Sequence, residues 1–120
     1  KDLGSVHACA HALGAVCDLH HGLANALMID TVLDWNYQAV PEKFDELAHA
    51  CGVTGGGKAL VPWLRELKAR VGILGPLTRY GVKAEQLPRL VEIATADICH
   101  QTNPRPCTAA NFEALFKAAL

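Results

Sequence analysis

Three histidines near the start of the chain, His7, His11 and His21, have a residue type and a spacing that could do chemistry. His7 and His11 are four residues apart, so on a helix both rings project from one face. His21 follows a short connection, and two helices meeting at a corner could point His7 and His21 at one ion, with His11 one turn away. Imidazole is a common ligand for zinc and ferrous iron. The spacing therefore predicts half of a catalytic metal site.

The spacing alone leaves a structural interpretation open, because histidines at helical intervals also pack in a core or face solvent. The pair His7–His11 is not the zinc-protease signature, since Ala8 stands where that signature carries its glutamate. Cys9 lies between the two histidines, but on a helix it points roughly 200° away from His7. We therefore do not predict Cys9 to be a ligand.

Two motifs in this chain resemble those of the iron-containing (group III) alcohol dehydrogenases. The first is the family's HxxxHxxG sequence with an HG pair opening the next helix, and it is filled by His7, His11, Gly14, His21 and Gly22. The second is the sequence TNPRP at residues 102–106, which is similar to the family's C-terminal segment. Because the motifs lie near opposite ends, the resemblance extends over nearly the whole chain, and their occurrence in the right order makes it specific.

The resemblance implies that His7 and His21 bind a divalent metal, Fe²⁺ or in some members Zn²⁺. It implies that His11 is a catalytic residue beside the metal, close to the nicotinamide of NAD or NADP and to a small alcohol or aldehyde. In that family the metal polarises the substrate oxygen during hydride transfer. A maleylacetate reductase or a glycerol dehydrogenase-like enzyme is the alternative within the same architecture. A non-enzymatic helical metal-binding or interaction module is the alternative outside it.

The family's metal has two further protein ligands, an Asp and a His, on a helix upstream of this motif, and residues 1–6 do not supply them. No strand–glycine turn–helix unit able to hold a dinucleotide is visible either. We therefore expect residues 1–120 to be the C-terminal metal-binding domain of a longer enzyme. The N-terminal nucleotide-binding domain is then a missing partner, and this piece alone is expected to be inactive.

Composition narrows the class of protein further. The chain has 120 residues, of which 51% are hydrophobic and 19% charged, with a net charge of −1. This suits one small globular domain, and the absence of a basic block argues against a nucleic-acid surface. No apolar run is long enough to span a membrane and no signal peptide is visible. The sequence leaves the oligomeric state open, and a homo-oligomer is one of the alternatives, because a domain without its partner exposes apolar surface.

Five cysteines without a CxxC pair argue against a zinc ribbon or a thioredoxin-like motif. This usage suits a reducing cytoplasm, where we place the protein. The cysteines with apolar neighbours are expected to be small core residues, namely Cys9, Cys17, Cys51 and Cys99.

The periodicity is helical nearly everywhere and predicts an all-α bundle of about five to six helices. The resemblance implies the C-terminal domain of a dehydroquinate synthase-like or iron-containing alcohol dehydrogenase fold. The predicted helices span residues 5–16, 21–36, 41–52, 58–71 and 88–100, and the last one follows Thr108. Ser5 and Thr108 are the expected N-caps. His21 would lie at a helix N-terminus, where the dipole disfavours the protonated ring and so keeps its lone pair available for a metal.

Residues 52–59, GVTGGGKA, resemble a phosphate-binding P-loop but depart from it in two ways. Ala59 stands where the motif needs Ser or Thr for magnesium. A helix, not a strand, is predicted to precede the glycines. We therefore interpret this segment as a flexible loop between helices.

Overall fold

The computed structural model describes residues 3–120, which form six α-helices joined by short connections and contain no β-strand. The helices are α1 Ser5–Cys17, α2 His21–Tyr37, α3 Pro41–Ala50, α4 Leu60–Arg70, α5 Leu87–Ala96 and α6 Ala109–Ala119. Four 3₁₀ turns lie between them, at Gly57–Ala59, Leu77–Tyr80, Ala84–Gln86 and Ile98–Thr102. The prediction of an all-α bundle is confirmed.

The main core is formed by α1, α2, α5 and α6, with α1 packed against both α2 and α5. Ala8, Ala12 and Leu13 of α1 are fully buried, and the small volume of the two alanines lets the neighbouring helices approach closely. Helix α6 contributes the two largest fully buried side chains, Phe112 and Phe116. One side of α1 is therefore fixed by dense packing, which holds the opposite side in a defined position.

A smaller cluster is formed by α3, α4 and the Gly57–Ala59 turn, and its buried residues are Phe44, Ala48, Leu60 and Val61. The backbone N–H of Gly57 donates a 2.6 Å hydrogen bond to the carboxylate of Asp45 in α3. The glycine-rich segment is thus an interhelical turn whose amide is already occupied. Asp30 of α2 connects this cluster to the main core, because it forms ion pairs with Arg65 and Lys68 of α4.

Helix α1 begins differently from the prediction. Gly4, not Ser5, is the N-cap, and Ser5 is the first helical residue. The Ser5 side chain is buried and its hydroxyl donates to the Cys107 sulfur at 3.1 Å. The predicted N-cap role of Ser5 is wrong because its oxygen is engaged with the far end of the chain.

Helix α5 is shorter than predicted, since it ends at Ala96 instead of His100. The backbone at Asp97 is extended, and its side chain accepts a hydrogen bond from the Cys99 N–H to begin a separate 3₁₀ turn. Ile98 lies outside the helix with 74% of its surface exposed. Helix α4 also begins later than predicted, at Leu60, because residues 57–59 form their own turn. By contrast, Thr108 caps α6 as expected.

The cysteine predictions are partly wrong. Cys9 is fully buried as expected, whereas Cys51 is exposed and Cys17 and Cys99 are half-buried. Cys107, which was not predicted to be in the core, is buried against Ser5. All five are free thiols. None of the helices between residues 3 and 120 combines the length and apolar character needed to cross a bilayer.

Candidate metal centre

The corner between α1 and α2 brings the histidine motifs together. Helix α1 ends at Cys17, and Asp18 adopts a left-handed backbone conformation with φ of 54°, where its N–H bonds to the Gly14 carbonyl. The chain then reverses within three residues, and His20 caps α2 by accepting a 3.2 Å hydrogen bond at Nδ1 from the Gly22 N–H. His21 is therefore the first residue of α2, as the sequence predicted.

The three imidazole rings predicted to form the site lie side by side at this corner. The ring centroids of His7 and His21 are 5.2 Å apart. The ring of His11 lies 5.4 Å from that of His21 and 5.9 Å from that of His7. His7 is half-buried, whereas His11 and His21 are exposed. The structure thus places all three predicted site residues in one cluster that opens to solvent.

The surroundings of the His7 ring favour its neutral form. The pKa of His7 is lowered from its usual value, first by partial burial and then by the nearby His21 and His11, whereas Asp97 acts in the opposite direction. At His21, the Asn25 side-chain amide lies within hydrogen-bond distance of the ring, 3.1 Å from Nε2. A metal ligand must be a neutral imidazole, and the lowered pKa of His7 favours that form.

Sequence reasoning missed Asp97, whose Oδ2 lies 2.7 Å from His11 Nδ1 although the two residues are 86 positions apart. Asp97 Oδ1 also accepts a 2.7 Å hydrogen bond from the Cys99 N–H. Burial would raise the pKa of Asp97, but the hydrogen bonds from Cys99 and His11 lower it below its usual value. An ionised Asp97 can thus fix which nitrogen of His11 carries the proton. The only signal in the sequence was an acid two residues before a cysteine, just ahead of the TNPRP segment.

The TNPRP segment, residues 102–106, holds the helices that carry the histidines. The Asn103 Oδ1 accepts a hydrogen bond from the Ser5 N–H at 3.1 Å in the first turn of α1. Asn103 also exchanges hydrogen bonds with the Asn36 side chain, near the end of α2, at 2.7 and 3.1 Å. The Arg105 guanidinium stacks 4.0 Å from the centre of the Trp35 ring and donates to its carbonyl. The TNPRP segment therefore holds in place the two helices that carry the HxxxHxxG and HG motifs.

Comparison with known proteins identifies the family to which this chain is similar. The model of the Fe-containing alcohol dehydrogenase family, C-terminal, matches residues 1–120. Lactaldehyde reductase of Escherichia coli K12 is 35% identical over 98% of this chain and 32% of its own length. The 1,3-propanediol dehydrogenase of Klebsiella pneumoniae is 34% identical over 98% of this chain and 32% of its own length.

The fold agrees as well. The crystal structure of a 1,3-propanediol oxidoreductase superimposes with a TM-score of 0.93 at 34% identity, covering 98% of this chain and 33% of that one. This chain thus spans about a third of the length of the relatives it matches. The resemblance read from the two motifs is confirmed, and the chain belongs to the Fe-containing alcohol dehydrogenase family, in whose C-terminal part it lies.

Proposed function

We propose that this chain forms the metal-binding half of the active site of an NAD- or NADP-linked oxidoreductase acting on small alcohols and aldehydes. The substrate class follows the relatives, which are named for lactaldehyde and 1,3-propanediol. The observation that carries the proposal is the approach of the His7 and His21 rings to 5.2 Å at the α1–α2 corner. The free cysteines fit a reducing cytoplasm as the location.

The donor set fits a divalent cation. Two imidazole nitrogens about 2.0–2.1 Å from one tetrahedral zinc ion place their ring centroids about 5 Å apart. The His7–His21 separation of 5.2 Å matches that spacing, and the lowered pKa of His7 favours the neutral ring that a ligand needs. Imidazole ligands suit Fe²⁺ and Zn²⁺ alike. The remaining protein ligands would come from the part of the enzyme that precedes this chain.

Each histidine has a separate task in this proposal. A cation held by His7 and His21 would act as a Lewis acid on the oxygen of an alcohol or carbonyl group. The nicotinamide would accept or donate the hydride. His11 is exposed beside the pair, and its Nδ1 is paired with Asp97 at 2.7 Å. His11 can therefore take up or release the proton of the substrate oxygen while Asp97 orients its ring.

Metal content measured in the enzyme that contains this chain tests the division of roles. Replacement His7→Ala or His21→Ala removes a ligand and is expected to abolish metal retention. His11→Ala is expected to keep the metal and lose about 10²–10⁴-fold in rate, the usual contribution of a general acid or base. His20→Ala is the matched control, since His20 is an exposed neighbour that caps α2 and is assigned no ligand role. Metal retained by both ligand variants, or lost in His11→Ala, would overturn this assignment.

The isolated chain provides an independent test. Complete structural zinc sites are worth about 10–16 kcal/mol, so half of the ligands should give a Kd of about 1 µM or weaker. Anaerobic calorimetry with Fe²⁺ is therefore expected to show weak binding, and absorbance assays should show no NAD-dependent oxidation of alcohols. A nanomolar Kd for Fe²⁺ would instead support a self-standing metal-binding module.

A further inference from the structure

A second group of metal-ligating side chains lies beside the histidine cluster. His11, Asp97 and Cys99 each offer one donor atom, and these nitrogen, oxygen and sulfur atoms all lie within 4.8 Å of one another. His11 is exposed and the other two residues are half-buried, so an ion can reach all three from solvent. His7 and His21 are not members of this group.

The backbone holds the three donors in a defined arrangement. Asp97 and Cys99 belong to one turn, in which the Asp97 carboxylate accepts the Cys99 N–H at 2.7 Å. His11 projects from α1, which packs against the Ile98–Thr102 turn. The turn thus presents a carboxylate and a thiol two residues apart, and α1 presents an imidazole to them at 2.7 Å.

The spacing is close to that of a coordinated ion. Donor atoms about 2.0–2.3 Å from a tetrahedral zinc ion lie about 3.2–3.8 Å from one another. The separation between His11 and Asp97 is 2.7 Å, shorter than those values, and all three donor atoms lie within 4.8 Å of one another. We expect rotation of the side chains to bring the donors to the spacing of a bound ion.

We propose that His11, Asp97 and Cys99 form a second cation site, selective for thiophilic divalent ions such as Zn²⁺ and Cd²⁺. Thiolate ligands select such ions, whereas the His7–His21 pair offers only imidazole. Binding forms a metal–sulfur bond and releases the thiol proton to solvent. It also replaces the hydrogen bond between His11 and Asp97, which takes His11 away from the position proposed above. Excess zinc would therefore inhibit the enzyme by binding at a site separate from its metal ligands, His7 and His21.

Titration of the chain with Co²⁺ tests this site without relying on activity, because a cobalt–thiolate bond gives a charge-transfer absorption band in the near ultraviolet. The wild-type chain, kept reduced, is expected to develop this band and to saturate at one thiolate-bound cobalt per chain. Cys99→Ser should abolish the band, and competition with Cd²⁺ should show an affinity lower by on the order of 100-fold. Cys51→Ser is the control, because Cys51 is an exposed thiol at the C-terminal end of α3.

The double variant His7→Ala/His21→Ala separates this proposal from the proposed function. It removes the metal ligands assigned there, and it should keep the cobalt–thiolate band at full intensity. Loss of the band in the double variant would show that sulfur and the His7–His21 pair share one ion, which overturns a second site. A band that survives Cys99→Ser, or no band in the wild-type chain, would overturn it equally. Circular dichroism of each variant verifies that the helices are intact.

Discussion

The histidine corner and the glycine-rich turn both carry short motifs that suggest ligand binding, yet the structure treats them differently. At the corner, His7, His11 and His21 keep their rings together and open to solvent. At the turn, the Gly57 amide that a phosphate would need is bonded to Asp45 within the chain. The glycine-rich motif is thus engaged within the chain, whereas the exposed rings of His11 and His21 remain within reach of a ligand.

The two regions also differ in what supports them. The histidine corner lies at the edge of the main core, where α1 is packed by α2, by α5 and by the Ile98–Thr102 turn. The glycine-rich turn belongs to the smaller cluster of only four buried residues. Rigid support on the side away from the rings suits a site that must hold its donors in place. The following predictions test whether the main core alone provides that support.

The largest effect is expected from Phe112→Ala in the main core. Phe112 is fully buried, so truncation should lower the free energy of unfolding by about 3–5 kcal/mol in urea titrations. It should also shift the NMR signals of the ring protons of the three clustered histidines. Phe44→Ala removes the same ring from the smaller cluster and should leave those signals in place. Equal shifts in both variants would show that the two regions are not separate supports.

Asn103→Ala should have the next largest effect, because it breaks the connection between the TNPRP segment and two helices. The variant leaves the Asn36 side chain, which is only 4% exposed, without its partner and removes the acceptor of the Ser5 N–H. Leaving buried polar groups unpaired costs about 1–3 kcal/mol, so we expect about 2–3 kcal/mol of destabilisation. The control Gln101→Ala alters an exposed side chain nearby and should change stability by less than about 0.5 kcal/mol. An Asn103→Ala effect as small as that would show that the TNPRP segment does not hold α1 and α2 together.

A smaller effect is expected from Gly57→Ala in the glycine-rich turn. A Cβ atom at Gly57 would lie 2.8 Å from the Asp45 nitrogen and the Phe44 Cβ, so α3 would have to move. Overpacking of this kind costs about 1–2 kcal/mol, measured by thermal or urea unfolding. The histidine signals should not change. A variant that is as stable as the wild-type chain would mean that the turn is loosely packed, as the sequence suggested.

The sequence allowed the helices and the histidine cluster to be predicted, because both depend on local periodicity. The spacing of His7 and His11 fixes their shared helix face, the short connection before His21 indicated a corner, and the family resemblance supported the pairing of His7 with His21. Asp97 could not be found in this way, because its pairing with His11 depends on how α1 and the turn after α5 meet in space. The same limit explains Ser5, whose hydroxyl looked like a cap but is used by Cys107. Contacts between distant residues decide these roles.

The smallest effect is expected from Asp97→Asn in the metal-free chain, studied with a chelator present. The pKa of folded Asp97 is lowered, so its stabilising contribution is present above the usual Asp pKa of about 3.9 and is lost as the pH falls through the folded value. Near pH 7 the variant should be less stable by about 1 kcal/mol, the typical value of a capping carboxylate. The difference from wild type, measured by urea unfolding at successive pH values, should vanish in acid. Asp34→Asn alters an exposed carboxylate of α2 with 63% of its side chain accessible, and should change stability by less than about 0.5 kcal/mol. If the difference in unfolding free energy between Asp97→Asn and wild type persisted unchanged at low pH, the shape of the side chain and not its charge would account for the stabilisation at this position.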